Sequence, residues 1–267
     1  MNQRMSDQAY LRGKQYAQST NLNARISIHE KFSTNKEKWA DFIFKHLNIK
    51  PGLSVFALGC GNAVQWRSNA NKFPEDCSIV LSDLSIGMLS EAKRALVDRN
   101  CFKFFVADAQ NMPLAEKSFD LVTANHMLYH VPDIDRALSE IKRVLRKPGK
   151  LMAATNGEFH MQELYGLLHQ FEPAYQFDPI KHRRFSLENG APWLRQYFKN
   201  VELILFDSNL WVTDAALLTE YAYSMWDITE TIPISRKMAM TDYFQNIIVE
   251  KGGIFIRKST GILLANN

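Results

Sequence analysis

Three sets of residues have the types and spacing for ligand chemistry. A short apolar run, 53–58, leads into Gly59, Cys60, Gly61, Asn62 and Ala63, and a helical pattern follows. A strand, a Gly-x-Gly turn and a helix let a ligand approach bare backbone, with amide hydrogens at the helix start facing it. Asp83 closes the next apolar run about 20 residues on, where a carboxylate accepts hydrogen bonds from both hydroxyls of an adenosine ribose. Asp108, in FVADAQNMPL at the end of the third run, is placed to accept from the exocyclic amine of an adenine. The plainer reading has the glycines making a tight turn, Asp83 capping a helix and Asp108 forming a turn. The pairing of the turn with Asp83 favours the ligand. A nicotinamide site is disfavoured, because the fingerprint G-x-G-x-x-G wants Gly or Ala where this chain has Val64.

These residues need a frame that brings run ends together. Apolar runs at 53–58, 78–83, 102–107, 119–124 and 150–155 are short and rich in Val, Ile, Leu or Phe, as buried parallel strands are. Between them lie helical periods. Trp39, Phe42, Ile43 and Leu47 form one stripe, ended by Pro51 and Gly52; Met88, Leu89, Ala92, Ala95 and Leu96 form a second. Ile134, Ala137, Leu138, Ile141, Val144 and Leu145 form a third, stopped by Pro148 and Gly149. Such alternation predicts a doubly wound α/β sheet, whose ligands bind beyond the carboxyl ends of the strands. After residue 155 the rhythm changes. Helices are expected at 158–171 and 187–198, a strand at 201–206, a helix capped by Asp214 and extended segments at 254–258 and 261–264, with the inserts covering the carboxyl edge.

Composition narrows the function. A chain of 267 residues, 46% hydrophobic, supports one generous core with insertions. Its 32 basic and 28 acidic residues are mixed along the chain, which argues against a cationic face and a nucleic-acid partner. The one compact basic cluster, Lys181, His182, Arg183 and Arg184, reads as a solvated loop. Cys60, Cys77 and Cys101 lack zinc-type spacing and fit small buried residues in a reducing, cytoplasmic compartment, with no metal implied. No signal-like run opens the sequence and no uninterrupted apolar run reaches about 18 residues, so neither export nor a membrane partner is expected. Nothing in the residue pattern dictates an oligomeric state.

In order along the chain, VFALGCGNA, SDLSIGML, FVADAQNMPL, FDLVTANHMLYHVPD and IKRVLRKPGK resemble the successive motifs of class I S-adenosylmethionine-dependent methyltransferases of the small-molecule type. The resemblance spans about 54–155 and extends more loosely to LNARISIHEKFSTN upstream and to FSLENGAPWL and LWVTD downstream. It implies a seven-stranded, mostly parallel sheet with its last strand antiparallel, and S-adenosylmethionine as cofactor. Residues 1–50 then read as an N-terminal helical cap and 51–267 as the methyltransferase domain, with cover inserts at 155–200 and 207–250. The resemblance puts the methionine portion beside Gly59 and Gly61, the ribose on Asp83, and the adenine between Leu84 and Ala109 with Asp108 at its edge. It puts Asn125 and His126 beside the sulfonium, and Cys60 and Met88 join the cofactor-binding set. Segments upstream fold over the cofactor in relatives, so Arg25 is expected to meet its carboxylate and Tyr16 to wall the pocket.

Transfer from a sulfonium needs the acceptor lone pair in line with the methyl group while water is kept out, and no metal is required. An amine acceptor needs no base before attack, whereas a hydroxyl does. The candidate catalytic residues are His126 and His130, which follow the fourth strand, with Tyr16. Trp193, Tyr197, Trp211, Tyr221, Tyr223 and Trp226 enrich the cover in aromatics; most are expected to pack, and some to line an apolar pocket for a small-molecule or peptide acceptor. Two residues depart from the family pattern: Ala57, where an acid is usual, and Ala63, where a third glycine is usual. They keep open an alternative, a methyltransferase-fold protein impaired in cofactor binding or without catalysis.

Overall fold

The computed structural model describes residues 6–16, 20–176, 184–225 and 228–267. Its frame is a seven-stranded sheet built from β1 (Ser54–Leu58), β2 (Ser78–Asp83), β3 (Phe102–Val106), β4 (Phe119–Asn125), β5 (Leu145–Asn156), β6 (Asn200–Leu205) and β9 (Thr260–Asn266). The order is β3-β2-β1-β4-β5-β9-β6, with β1 to β5 mutually parallel and β9 antiparallel to both its neighbours. The order reverses between β1 and β4, so the crevice at a doubly wound sheet's switch point opens beside Gly59 and Asn125.

Local chemistry explains the helices that face this sheet. Between the small helix α1 (Gln8–Tyr10) and the sheet come α2 (Thr20–Phe32) and α3 (Trp39–Leu47), and α3 ends where Asn48 turns left-handed. The short α4 (Val64–Arg67) follows the glycine turn. Ser85 caps α5 (Ile86–Ala95) by accepting from the Met88 amide, and Asp133 caps α6 (Ile134–Val144) through the Arg136 amide. The stripe Ile134, Ala137, Leu138, Ile141 and Val144 is buried against one sheet face, and Phe42, Ile43 and Leu47 of α3 are buried against the other.

A third apolar cluster forms the cover. It joins Ile28 and Phe32 of α2 to α7 (Gln162–Phe171), α9 (Ala215–Tyr223), α10 (Ile228–Thr231), α11 (Lys237–Lys251) and a two-stranded sheet of β7 (Asn209–Val212) and β8 (Ile254–Arg257). Two expectations shift here. The helix expected from residue 158 begins at Gln162, because 157–161 turn and Met161 takes a left-handed backbone. The helix expected to reach 198, α8 (Leu187–Arg195), opens on a Ser186–Asn189 capping box but ends at Arg195. The extended segment at 254–258 stays outside the main sheet and pairs with LWV at 210–212, whose strand character the sequence reading did not identify. Asp214 does cap its helix, accepting from the Leu217 amide at 3.0 Å.

Candidate active site

Every residue singled out above for cofactor binding or catalysis lines one cavity of about 860 Å³, between the carboxyl ends of β1 to β5 and the cover. That volume is at the upper end for a small-molecule site.

The sheet wall is built by tight local contacts. Gly59 and Gly61 both have left-handed backbones, with φ of +62° and +57°. A Cβ on Gly59 would lie 2.7 Å from Cβ of Met127, so a protein side chain occupies the space expected for ligand approach there. Ala63 is also left-handed, at φ 58°, the conformation that favours a glycine at this position. Ala57 is buried in the cluster that holds Phe42 and Phe206, so apolar packing stands where the family usually places an acid.

Asp83 accepts from the Gly61 amide at 2.9 Å and from the Ser85 amide at 2.8 Å, which ties the glycine turn to the tip of β2. Burial pushes its carboxyl above the usual range, and these amides work against that. Asp108 accepts from the Gln110 amide and, at 2.8 Å, from the side-chain amide of Gln8. Partial burial opposes its charge, yet these bonds and nearby Arg136 outweigh it and hold the carboxyl below its usual range. Arg143 and Glu140 of α6 pin the loop beyond, at Met112 and Leu114, so this carboxylate sits on a braced turn.

A strap from the N-terminus crosses the cavity. Besides Gln8 on Asp108, Gln15 donates to the Ser224 carbonyl, Ser85 Oγ donates to the Tyr16 carbonyl at 2.7 Å, and Tyr16 Oη lies 3.1 Å from His130 Nε2. The Arg25 guanidinium lies 5.5 Å from the centroid of the Tyr16 ring. Burial works against the Arg25 charge, but Tyr16, Tyr221 and Tyr129 outweigh it, so the cation persists. The His130 ring meets Tyr16 and Tyr129 edge-on. His126, by contrast, packs on Trp39, and burial together with Lys258 lowers its pKa to about 4, so it is neutral and weakly basic at pH 7.

The cavity also holds residues the sequence reading missed as site residues, among them His160 and Lys258 from the cover and Tyr129 after β4. No local spacing signals them: His160 lay in an expected helix and Lys258 in an expected strand. The aromatics divide. Tyr221 lines the cavity, Trp193 and Tyr197 pack on the core beneath the sheet, and Trp211 is partly exposed. Trp226 and residues 181–183 of the basic cluster lie outside the described residues, and Arg184 donates to the Val131 and Pro132 carbonyls.

The cavity chemistry fits an adenosyl cofactor. Asn125 donates to Gln65 at 2.9 Å, while its Oδ1 is buried with no hydrogen-bond partner among the described residues. A bare amide oxygen in the same cavity as the Asp83 carboxylate suits a ligand that brings both cationic and hydroxyl groups. Residues 56–153 match the family model described as "Methyltransferase domain". Residues 56–153 are thus similar to a methyltransferase domain, and the fold is that of the class I S-adenosylmethionine-dependent methyltransferases. Over 147 residues the chain is 35% identical to the ubiquinone/menaquinone biosynthesis C-methyltransferase UbiE of Rickettsia prowazekii, covering 53% of this chain and 58% of that one. The chain thus spans little more than half the length of that relative. Among solved structures, a putative methyltransferase from an antibiotic biosynthesis pathway of Anabaena variabilis aligns with TM-score 0.62 at 16% identity, over 91% of this chain and 99% of that one. Phosphoethanolamine N-methyltransferase 2 of Haemonchus contortus, in complex with S-adenosyl-L-methionine, aligns with TM-score 0.60 at 17% identity over 98% and 60%. At such identities these two speak for the fold alone. The matched domain and these neighbours indicate S-adenosylmethionine as the cofactor, and no helix among the described residues is long and apolar enough to cross a membrane.

Proposed function

We propose that this methyltransferase moves the methyl group of S-adenosylmethionine to a nitrogen or oxygen of a small molecule or short peptide held under the cover. The observation that carries the reading is the 3.1 Å contact between Tyr16 Oη and His130 Nε2 at the mouth of β4. The cofactor supplies an electrophilic methyl on a sulfonium; the chain's own residues do the rest. Gly61 and Asp83, with Asn125 and Arg25, are the groups that would hold the cofactor. The strap and cover exclude water from the cavity. His130 takes the acceptor's proton, directly or through the Tyr16 hydroxyl. His126, neutral and weakly basic, serves as a wall and not as the base. Residues 1–50 and the inserts at 155–200 and 207–250 are read as one cover, a division supported by the cluster that packs α2 with α7, α9 and α11.

The test is single-turnover transfer from labelled S-adenosylmethionine to a panel of amine and hydroxyl acceptors. Tyr16→Phe is expected to lower the transfer rate about 100-fold, leaving affinity for S-adenosylhomocysteine within about twofold. His130→Asn is expected to match it, and the double variant to be no worse than either, as for residues acting as one unit. Strictly additive losses would separate the pair and remove the proposed relay.

A further inference from the structure

The cover end of the cavity collects basic side chains from four distant parts of the chain. His29 comes from α2, His126 follows β4, His160 lies in the turn before α7, and Lys258 lies between β8 and β9. The rings of His29 and His160 have centroids 6.0 Å apart. Lys258 rests on the Phe206 ring and reaches Ser208 Oγ at 3.4 Å. Among the described residues it forms no ion pair. His160 Nδ1 accepts from the Ser259 amide, which leaves the proton of a neutral ring on Nε2 as a donor. Nδ1 of His29 is buried with no hydrogen-bond partner among the described residues.

Such a group is costly as it stands. Buried basic groups are normally paired or hydrogen-bonded. Here burial alone pulls Lys258 down to about 8, and burial and Lys258 together lower His29, His126 and His160, the last to about 3. No carboxylate raises the proton affinity of any of the four. A cluster of donors and latent cations that no acid ion-pairs among the described residues is complementary to an anion, with Glu30 and Glu158 the carboxylates nearest in sequence that also line the cavity.

We propose, resting on the methyl-transfer reading above, that the acceptor molecule carries an oxyanion, a carboxylate or a phosphate, and that Lys258 with His29 and His160 is the subsite that holds it. The anion would dock at the cover end while the nucleophilic atom points to the Tyr16–His130 pair. Its negative charge would also favour the charged form of Lys258, so that binding takes up protons from solution around pH 8.

The experiment is calorimetric titration of the full chain, saturated with S-adenosylhomocysteine, with sodium acetate in one arm and inorganic phosphate in the other. Buffers of differing ionisation enthalpy report proton uptake. The expected result is binding of at least one anion at about 10 mM or below without displacement of S-adenosylhomocysteine, accompanied by proton uptake. The stronger arm identifies the class. Lys258→Met keeps the stem that packs on Phe206 and is expected to weaken the anion at least about tenfold, leaving S-adenosylhomocysteine affinity unchanged. His160→Gln, on a different element, is the second variant and is expected to weaken the anion at least about threefold. The inference is overturned if neither anion binds, if both variants bind it as the parent does, or if the anion competes with S-adenosylhomocysteine, which would give the cluster to the cofactor's own carboxylate. Failure of S-adenosylhomocysteine itself to bind would overturn the functional reading, and this inference with it.

Discussion

The cavity has two walls of opposite character. On the sheet side, Asp83 and Asp108 stand at strand tips, and each carboxylate is met at once by amides two residues away in sequence or across the neighbouring turn. On the cover side, Lys258 and three histidines converge with almost no partners of their own. The carboxylates of the first wall are satisfied before any ligand arrives; the second wall is held in an electrostatically unfavourable state by the packing of the cover around it. A preorganised carboxylate wall grips a constant part, and a wall short of partners is where a variable part gains most by binding. Tyr16 of the strap and Arg25 of α2 line the same cavity, at the point proposed for the transfer.

Acid should break the cover wall first, and this is the largest effect expected. His126 and His160 sit near 4 and 3 in the folded chain against 6.5 when free. The native state therefore binds fewer protons than the unfolded one, so stability from these groups is complete above about pH 6.5 and is lost as pH falls toward 4. Allowing for screening at a partly open cavity, the loss is about 2 kcal/mol for each histidine. Urea unfolding at pH 7 and pH 5 measures it, and His160→Gln should flatten the profile. A stability independent of pH over that range would mean the cover wall is open to water.

Next comes the sheet wall. Asp83→Asn keeps the shape but puts an amide donor against the Gly61 or Ser85 amide, and should weaken S-adenosylhomocysteine by about 2 kcal/mol, or about 30-fold. Anion binding at the cover should stay as it was. If both fall together, the walls are one unit and the contrast drawn between them fails.

The smallest effect sharpens the boundary. Gln8 donates to Asp108 the kind of hydrogen bond that an adenine amine would. Gln8→Ala is expected to tighten S-adenosylhomocysteine about threefold by removing a competitor, read by the same titration. Weaker binding would instead place Gln8 among the groups that recognise the cofactor.

Much of the sheet wall was legible without coordinates, for a physical reason. A strand, a turn and a helix start are set by residues within one short segment, so Gly59, Gly61, Asp83 and Asp108 announce themselves by spacing, as do the stripe of α6 and the Asp214 cap. The five parallel strands followed from their apolar runs in the same way. Differences lie where tertiary contacts decide: the left-handed Met161 moves the start of α7 from 158 to Gln162, and the strand expected at 254–258 finds its partner in 209–212, outside the main sheet.

The cover wall was decided by tertiary structure alone. His29, His160 and Lys258 are separated by about a hundred residues each and share no motif; only the packing of α2, α7 and α9 around one apolar cluster brings them to the same cavity. The Tyr16–His130 contact is of the same kind, a pair of ordinary residues given meaning by a strap laid across the sheet. Local sequence therefore determined the class of cofactor this protein is built to hold. What lies opposite that cofactor depended on long-range burial of apolar side chains, which no window of residues records.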